Sequence, residues 1–139
     1  MIHERIRRFN TKDTYPEQDL DNDLCQAVVA SGKLVFLRGQ VSQDLNTNES
    51  LYPGDARMQA RKAMENIELL LRESGSCIEH ICRIVVYLTD IRHRNDAYRE
   101  IGNSLRGVFP CSTGLVITTL ARPEWLVEVE ATAVIPEEG

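Results

Sequence analysis

The chain has 139 residues, 42% of them hydrophobic and 27% charged, enough for a single domain over residues 1–139 that buries roughly two-thirds of its unfolded surface. Its apolar runs are short, as in Ile84-Val85-Val86-Tyr87-Leu88, and none approaches the ~20 residues a bilayer-spanning helix needs. Lysine and arginine total 16 against 21 aspartate and glutamate, a net charge of −5 that repels polyphosphate and argues against nucleic acid or a membrane surface as partner.

Ile2, Ile6 and Phe9 in a polar stretch predict a first edge strand. The beginning of the chain has neither an apolar signal core nor an acid-poor composition, because Glu4 and Asp13 interrupt it; a cytoplasmic location is expected. Tyr15-Pro16 and the acids through Asp23 predict a solvated loop. Residues 25–30 and 34–39 are two apolar runs joined by Ser31-Gly32-Lys33, which predicts a hairpin. A polar loop leads to Tyr52-Pro53-Gly54, and Asp55 is placed to cap a helix.

From Ala56 to Glu73 the apolar residues Ala56, Ala60, Ala63, Ile67 and Leu70 recur at helical spacing, so one face packs on a sheet. Gly75 ends this helix. The β-branched run from Ile81 to Leu88 predicts a buried strand, which completes a β-α-β unit. A second helix is predicted over 95–106, closed by Gly107 and Pro110, and strands over 113–120 and 126–135 finish the chain. In the last of these Val127, Val129, Ala131, Ala133 and Ile135 alternate with Glu128, Glu130 and Thr132, which puts two carboxylates on the face opposite the core. The order predicts an α+β fold, a mixed sheet of about six strands with two helices on one face. The other face needs a cover, and self-association supplies one.

The four cysteines, Cys25, Cys77, Cys82 and Cys111, have no metal-ligand spacing, so no metal is expected and reduced, mostly buried thiols are.

The run Gly32-Lys33-Leu34-Val35-Phe36-Leu37-Arg38-Gly39-Gln40-Val41 resembles the Ser-Gly-Gln strand signature of the YjgF/RidA family of imine/enamine deaminases. Residues 59–67, Ser74-Gly75-Ser76 and Val85-Val86-Tyr87-Leu88-Thr89-Asp90 are similar to that family's central helix, glycine stop and strand. Phe109-Pro110 and Leu126-Val127-Glu128-Val129-Glu130-Ala131 resemble its C-terminal signature. The resemblance covers about residues 25–135. It implies a chorismate-mutase-like fold, a homotrimer without cofactor, and small-molecule clefts between subunits. There Glu128 and ordered water would hydrolyse an imine or enamine. The chain departs from the pattern at Pro110-Cys111-Ser112, where the family has Pro-x-Arg and an arginine that grips a substrate carboxylate. A serine hydroxyl cannot replace a bidentate guanidinium, so generic 2-imino acids are not the expected substrate.

Arg38 stands where the family has serine, and two readings of it remain open. It supplies the missing guanidinium from the opposite wall of the cleft, or it neutralises Glu128 or Glu130 in a salt bridge. Gly39 lets a ligand approach the backbone or forms a bulge. Ser112 and Gly114 fall on the strand that carries the family arginine. Asn95, with Tyr98, matches an Asn-x-x-Tyr stretch, and either contributes to the cleft or caps a helix. The expected substrate-binding set is therefore Arg38, Gly39, Ser112, Gly114 and Asn95, with Glu128 catalytic. Three functions follow: a deaminase-type hydrolase, a non-catalytic trimer that binds a metabolite, and an endoribonuclease, which the acidic balance disfavours.

Overall fold

The computed structural model describes residues 2–137. Two strands of the N-terminal part, β1 (Glu4–Ile6) and β2 (Phe9–Asn10), precede a one-turn helix α1 (Thr11–Thr14) and the strands β3 (Asp23–Leu24) and β4 (Ala27–Val29). Then come β5 (Gly32–Phe36), α2 (Ala56–Glu73), β6 (Ile81–Leu88), α3 (Arg94–Ser104), β7 (Cys111–Val116) and β8 (Val127–Pro136). A four-stranded mixed sheet runs β5-β8-β6-β7, with β6 and β7 parallel and the other two pairs antiparallel. The remaining strands form two short ladders, β1 with β4 and β2 with β3.

Helix α2 occupies the predicted residues. The Asp55 side chain accepts the Met58 N–H at 3.0 Å, a standard N-cap. Its buried face, including Ala60, Ala63, Ile67 and Leu71, packs on Ile84, Val86 and Leu88 of β6 and on Val127, Val129, Ala131 and Ala133 of β8. Strand β8 keeps the alternation read from its sequence through Ala133, with Val127, Val129, Ala131 and Ala133 buried and Glu128, Glu130 and Thr132 outward, but beyond it Val134 is buried and Ile135, expected in the core, is part-exposed. Helix α3 lies beside α2, tied to it by the Arg57–Glu100 ion pair at 2.7 Å.

The predicted hairpin does not form: β4 pairs with β1 and β5 pairs with β8. The ten-residue β8 offers β5 a five-residue ladder, which leaves β4 free to take the N-terminal strand. The second helix starts one residue earlier than expected and ends at Ser104.

Two buried amides of α2 shape the loops around the sheet. Gln59 donates to the carbonyls of Tyr52 and Glu124 and accepts the Leu126 N–H, so it fixes the entry to β8. Asn66 donates to the carbonyls of Val41 and Gln43, which holds the segment after Gly39 in place.

Arg5 is 8% exposed and is spent on backbone oxygens. Its guanidinium donates to Ile81 O at 2.8 Å and to Phe109 O, Glu79 O and Ile2 O at 3.1–3.2 Å. One side chain thus ties the N-terminal strand to the starts of β6 and β7. Among the described residues no helix is long and apolar enough to cross a membrane. Replacing Arg5 by alanine strands these carbonyls, and urea unfolding is expected to show a loss of about 2–4 kcal/mol. A change under about 0.5 kcal/mol, the usual range of an exposed substitution, would show that the clamp contributes little.

Candidate functional site

The expected site residues fall into two groups on opposite faces of the sheet. The first group lies on the face without helices. After β5 the chain continues beside β8, and Gln40 and Val129 exchange backbone hydrogen bonds at 2.8 and 2.9 Å. This brings Gly39 under the Glu128 carboxylate. A Cβ on Gly39 would sit 2.5 Å from Glu128 Oε2, so a side chain there would displace the carboxylate. Across β6 the Tyr87 hydroxyl donates to Glu130 Oε1 at 3.2 Å.

Glu128 is half-buried. Burial pushes its pKa up from the usual carboxylate value, the Arg38 charge opposes that shift, and the neighbouring Glu130 adds to it. A carboxyl shifted this way is suited to exchange a proton with water. Arg38 is exposed and, among the described residues, makes no direct ion pair with Glu128 or Glu130. The contact salt bridge considered for it is absent, while its charge acts on Glu128 through space.

The second group lies on the helix face. Ser112 and Gly114 stand in register with Ile84 and Val86, and in a parallel pair such partners point to the same side. The side chain of Ser112 meets the Tyr98 hydroxyl, whose pKa burial pushes up. Tyr98 also explains Gly114, because a Cβ there would collide with the same hydroxyl. Both residues line a cavity of about 510 Å³ whose other walls include Phe9, Tyr15, Asn22 and Arg94. The Arg94 guanidinium stacks 4.9 Å over the Tyr98 ring. Asn95 lies exposed in the first turn of α3 and is not a wall of this cavity. Nor is it the cap: His93 occupies that position, and Asp90 caps the short turn before it by accepting the Arg92 N–H.

In sheet order β8 and β7 are separated by β6, and Ser112 is level with Ala131 through Ile84, so Ser112 lies two strands across and three residues along from Glu128, roughly 14 Å by strand spacing, and the two point opposite ways. A single chain does not gather the six expected residues into one cleft. The sequence reading missed Arg94, Phe9 and Tyr15. A cation four residues before an aromatic on one helix, Arg94 and Tyr98, was the available signal. The thiols of Cys25 and Cys111 lie 3.9 Å apart, Cys25 being buried and the other three cysteines part-exposed, so burial is less general than expected.

A mixed sheet with two helices on one face and a half-buried glutamate on the other defines an α+β protein of the Rid type. The chain belongs to the family described as Endoribonuclease L-PSP, which matches residues 19–135 and includes the YjgF/RidA proteins. It is 34% identical over 110 residues to protein DfrA of Myxococcus xanthus, covering 78% of this chain and 82% of that protein. It is 27% identical over 106 residues to the Escherichia coli protein named "Putative reactive intermediate deaminase TdcF", covering 74% and 80%. The structure of YyfB, a Rid-family protein of unknown function from Yersinia pestis, superposes with a TM-score of 0.74 at 26% identity, over 93% of this chain and 98% of that one.

Because the folded protein raises the pKa of Glu128, it binds the proton more tightly than the unfolded chain does, and the carboxylate costs stability as pH rises from the unfolded to the folded value. Glu128→Gln is therefore expected to melt higher than the parent at pH 7 and to lose that advantage near pH 4, by thermal unfolding at both values. A lower melting temperature at pH 7 would show that the charged form is stabilised instead.

Proposed function

We propose that the protein is a small-molecule hydrolase of the imine/enamine-deaminase type, cytoplasmic, acting in clefts between the subunits of a homotrimer, on a substrate other than generic 2-imino acids. The observation that carries this reading is Glu128: a half-buried carboxyl with a raised pKa, seated over the backbone of Gly39 on an uncovered sheet face. Such a group takes a proton from water as it adds to a C=N carbon and returns one to the departing nitrogen. The charge of Arg38 beside it favours an anionic or polar substrate, and the backbone near Gly39 offers further donors. The relative named as a reactive intermediate deaminase supports the reaction class.

The uncovered face supports the trimer. Leu34 is 63% and Phe36 73% exposed there, and contiguous apolar surface of this kind is covered in a stable protein. A neighbouring subunit seated on it would close a cleft over Glu128. The second reading, a trimer that binds a metabolite without turnover, is favoured by Ser112, which holds no charge for a substrate carboxylate. The endoribonuclease reading stays disfavoured by the net charge of −5.

The test is ammonia release from imines generated in situ from a panel of amino acids. The wild-type protein is expected to accelerate hydrolysis of at least one imine other than 2-iminobutyrate, and Glu128→Gln to lower that rate about 10²- to 10⁴-fold, the usual weight of a general base. If no imine is hydrolysed faster than in buffer, the hydrolase reading fails and the binding reading takes its place.

A further inference from the structure

Arg5 is a buried cation without an acid. Among the described residues no carboxylate pairs with its guanidinium, although a charge held out of water is ordinarily balanced by a partner. The ionisable groups on which its charge acts are three thiols, those of Cys82, Cys25 and Cys111. A cation beside a sulfur favours the thiolate, the form that reacts with an oxidant. Two of the three are in contact: the Cys25 and Cys111 sulfurs lie 3.9 Å apart, whereas the Cys82 thiol donates to His80 O.

The backbones are set for a bond between that pair. Cys25 N–H donates to Pro110 O, next to Cys111, at 3.1 Å. Such a bond sets neighbouring chains ~5 Å apart, inside the roughly 4.4–6.8 Å over which two Cα atoms carry a disulfide. The Cys25 thiol is oriented by its hydrogen bond to Ala27 O at 3.3 Å, and closing the sulfurs to about 2.05 Å is a movement on the scale of a side-chain rotation. The two thiols differ in access. Cys25 is 4% exposed, and burial, with the Cys111 sulfur beside it, pushes its pKa up to about 11. Cys111 is part-exposed, so it is the sulfur an oxidant meets first, with Cys25 held behind it.

We propose that Cys25 and Cys111 are a redox modification site, at which hydrogen peroxide drives a reversible disulfide that fastens the N-terminal ladders to the four-stranded sheet. The Cys111 thiolate attacks one peroxide oxygen, the O–O bond breaks, and after proton transfer the products are a sulfenic acid and one water. The Cys25 thiol then gives its proton to the departing hydroxyl, its sulfur bonds to Cys111 Sγ, the S–O bond breaks and a second water leaves. In sum two thiols and one peroxide give one disulfide and two waters, with two electrons passing from the sulfurs to the peroxide. A dithiol reductant reverses the bond. A disulfide of this kind in a reducing compartment is transient and reports on oxidants. In the reduced protein the N-terminal ladders meet the starts of β6 and β7 through Arg5 and the Cys25–Pro110 hydrogen bond, and the disulfide adds a covalent link at the same junction. The site does not depend on the hydrolase reading, because it uses neither Glu128 nor Gly39.

The test treats the reduced protein with hydrogen peroxide, alkylates the remaining thiols and maps the unreduced peptides by mass spectrometry. Two of the four thiols are expected to disappear, with one intramolecular cross-link joining the peptides of Cys25 and Cys111 that dithiothreitol removes. Cys25→Ser is expected to stop at a sulfenic acid on Cys111 that dimedone traps, and Cys111→Ser to give neither the cross-link nor an adduct on Cys25. The oxidised wild type is expected to melt higher than the reduced, because the bond closes a long loop of the unfolded chain, and both variants to lack that rise. A cross-link through Cys77 or Cys82, a bond between two chains, over-oxidation of Cys111 without a cross-link, or four thiols surviving a treatment that oxidises free glutathione would each overturn the proposal. So would an oxidised wild type that melts no higher than the reduced.

Discussion

The structure depends on a sheet that is covered on one side. Burial of the α2 stripe against the inward residues of β6 and β8 is the main apolar contact of the fold, and burial of that kind is the dominant favourable contribution to folding. Because side chains alternate along a strand, the same valines and alanines that fix β8 under α2 force Glu128 and Glu130 to the opposite face. The position of the candidate catalytic group is a consequence of core packing. A shift of β8 by one residue would bury the carboxylates and expose the valines, which sets the register firmly.

The two faces have different electrostatic characters. On the open face burial and the neighbouring Glu130 keep Glu128 easier to protonate than a free glutamate, with the through-space charge of Arg38 opposing them. On the helix face a single guanidinium stands among hydroxyls, amides and aromatic rings. The family places its substrate-gripping arginine at the position of Ser112, and here that charge is absent from β7 while Arg94 of α3 brings one into the adjoining space.

Much of the fold was legible because it is locally encoded. The α2 boundaries follow from Asp55, the 3.6-residue stripe and Gly75, and the inward and outward faces of β8 follow from strict alternation. Strand pairing was less legible: residues 27–29 and 32–36 carry ordinary hairpin signals, but their partners are β1 and β8, chosen by long-range ladders that no local pattern reports. Of the site, Glu128 and Gly39 were readable and are in contact, whereas Asn95 turned out exposed and without a capping role. Arg5, Arg94 and the Phe9–Tyr15 wall were missed, because each acts through residues distant in sequence.

The central claim is that the uncovered sheet face is where subunits meet and where Glu128 is enclosed. Sedimentation of the purified protein at micromolar concentration, compared with Phe36→Glu, tests it most directly. The account predicts a wild-type species three times the mass of the 15.8 kDa chain and its dissociation in Phe36→Glu, with the amide spectrum of the variant still that of a folded protein. A wild-type protein that sediments as a monomer would contradict it.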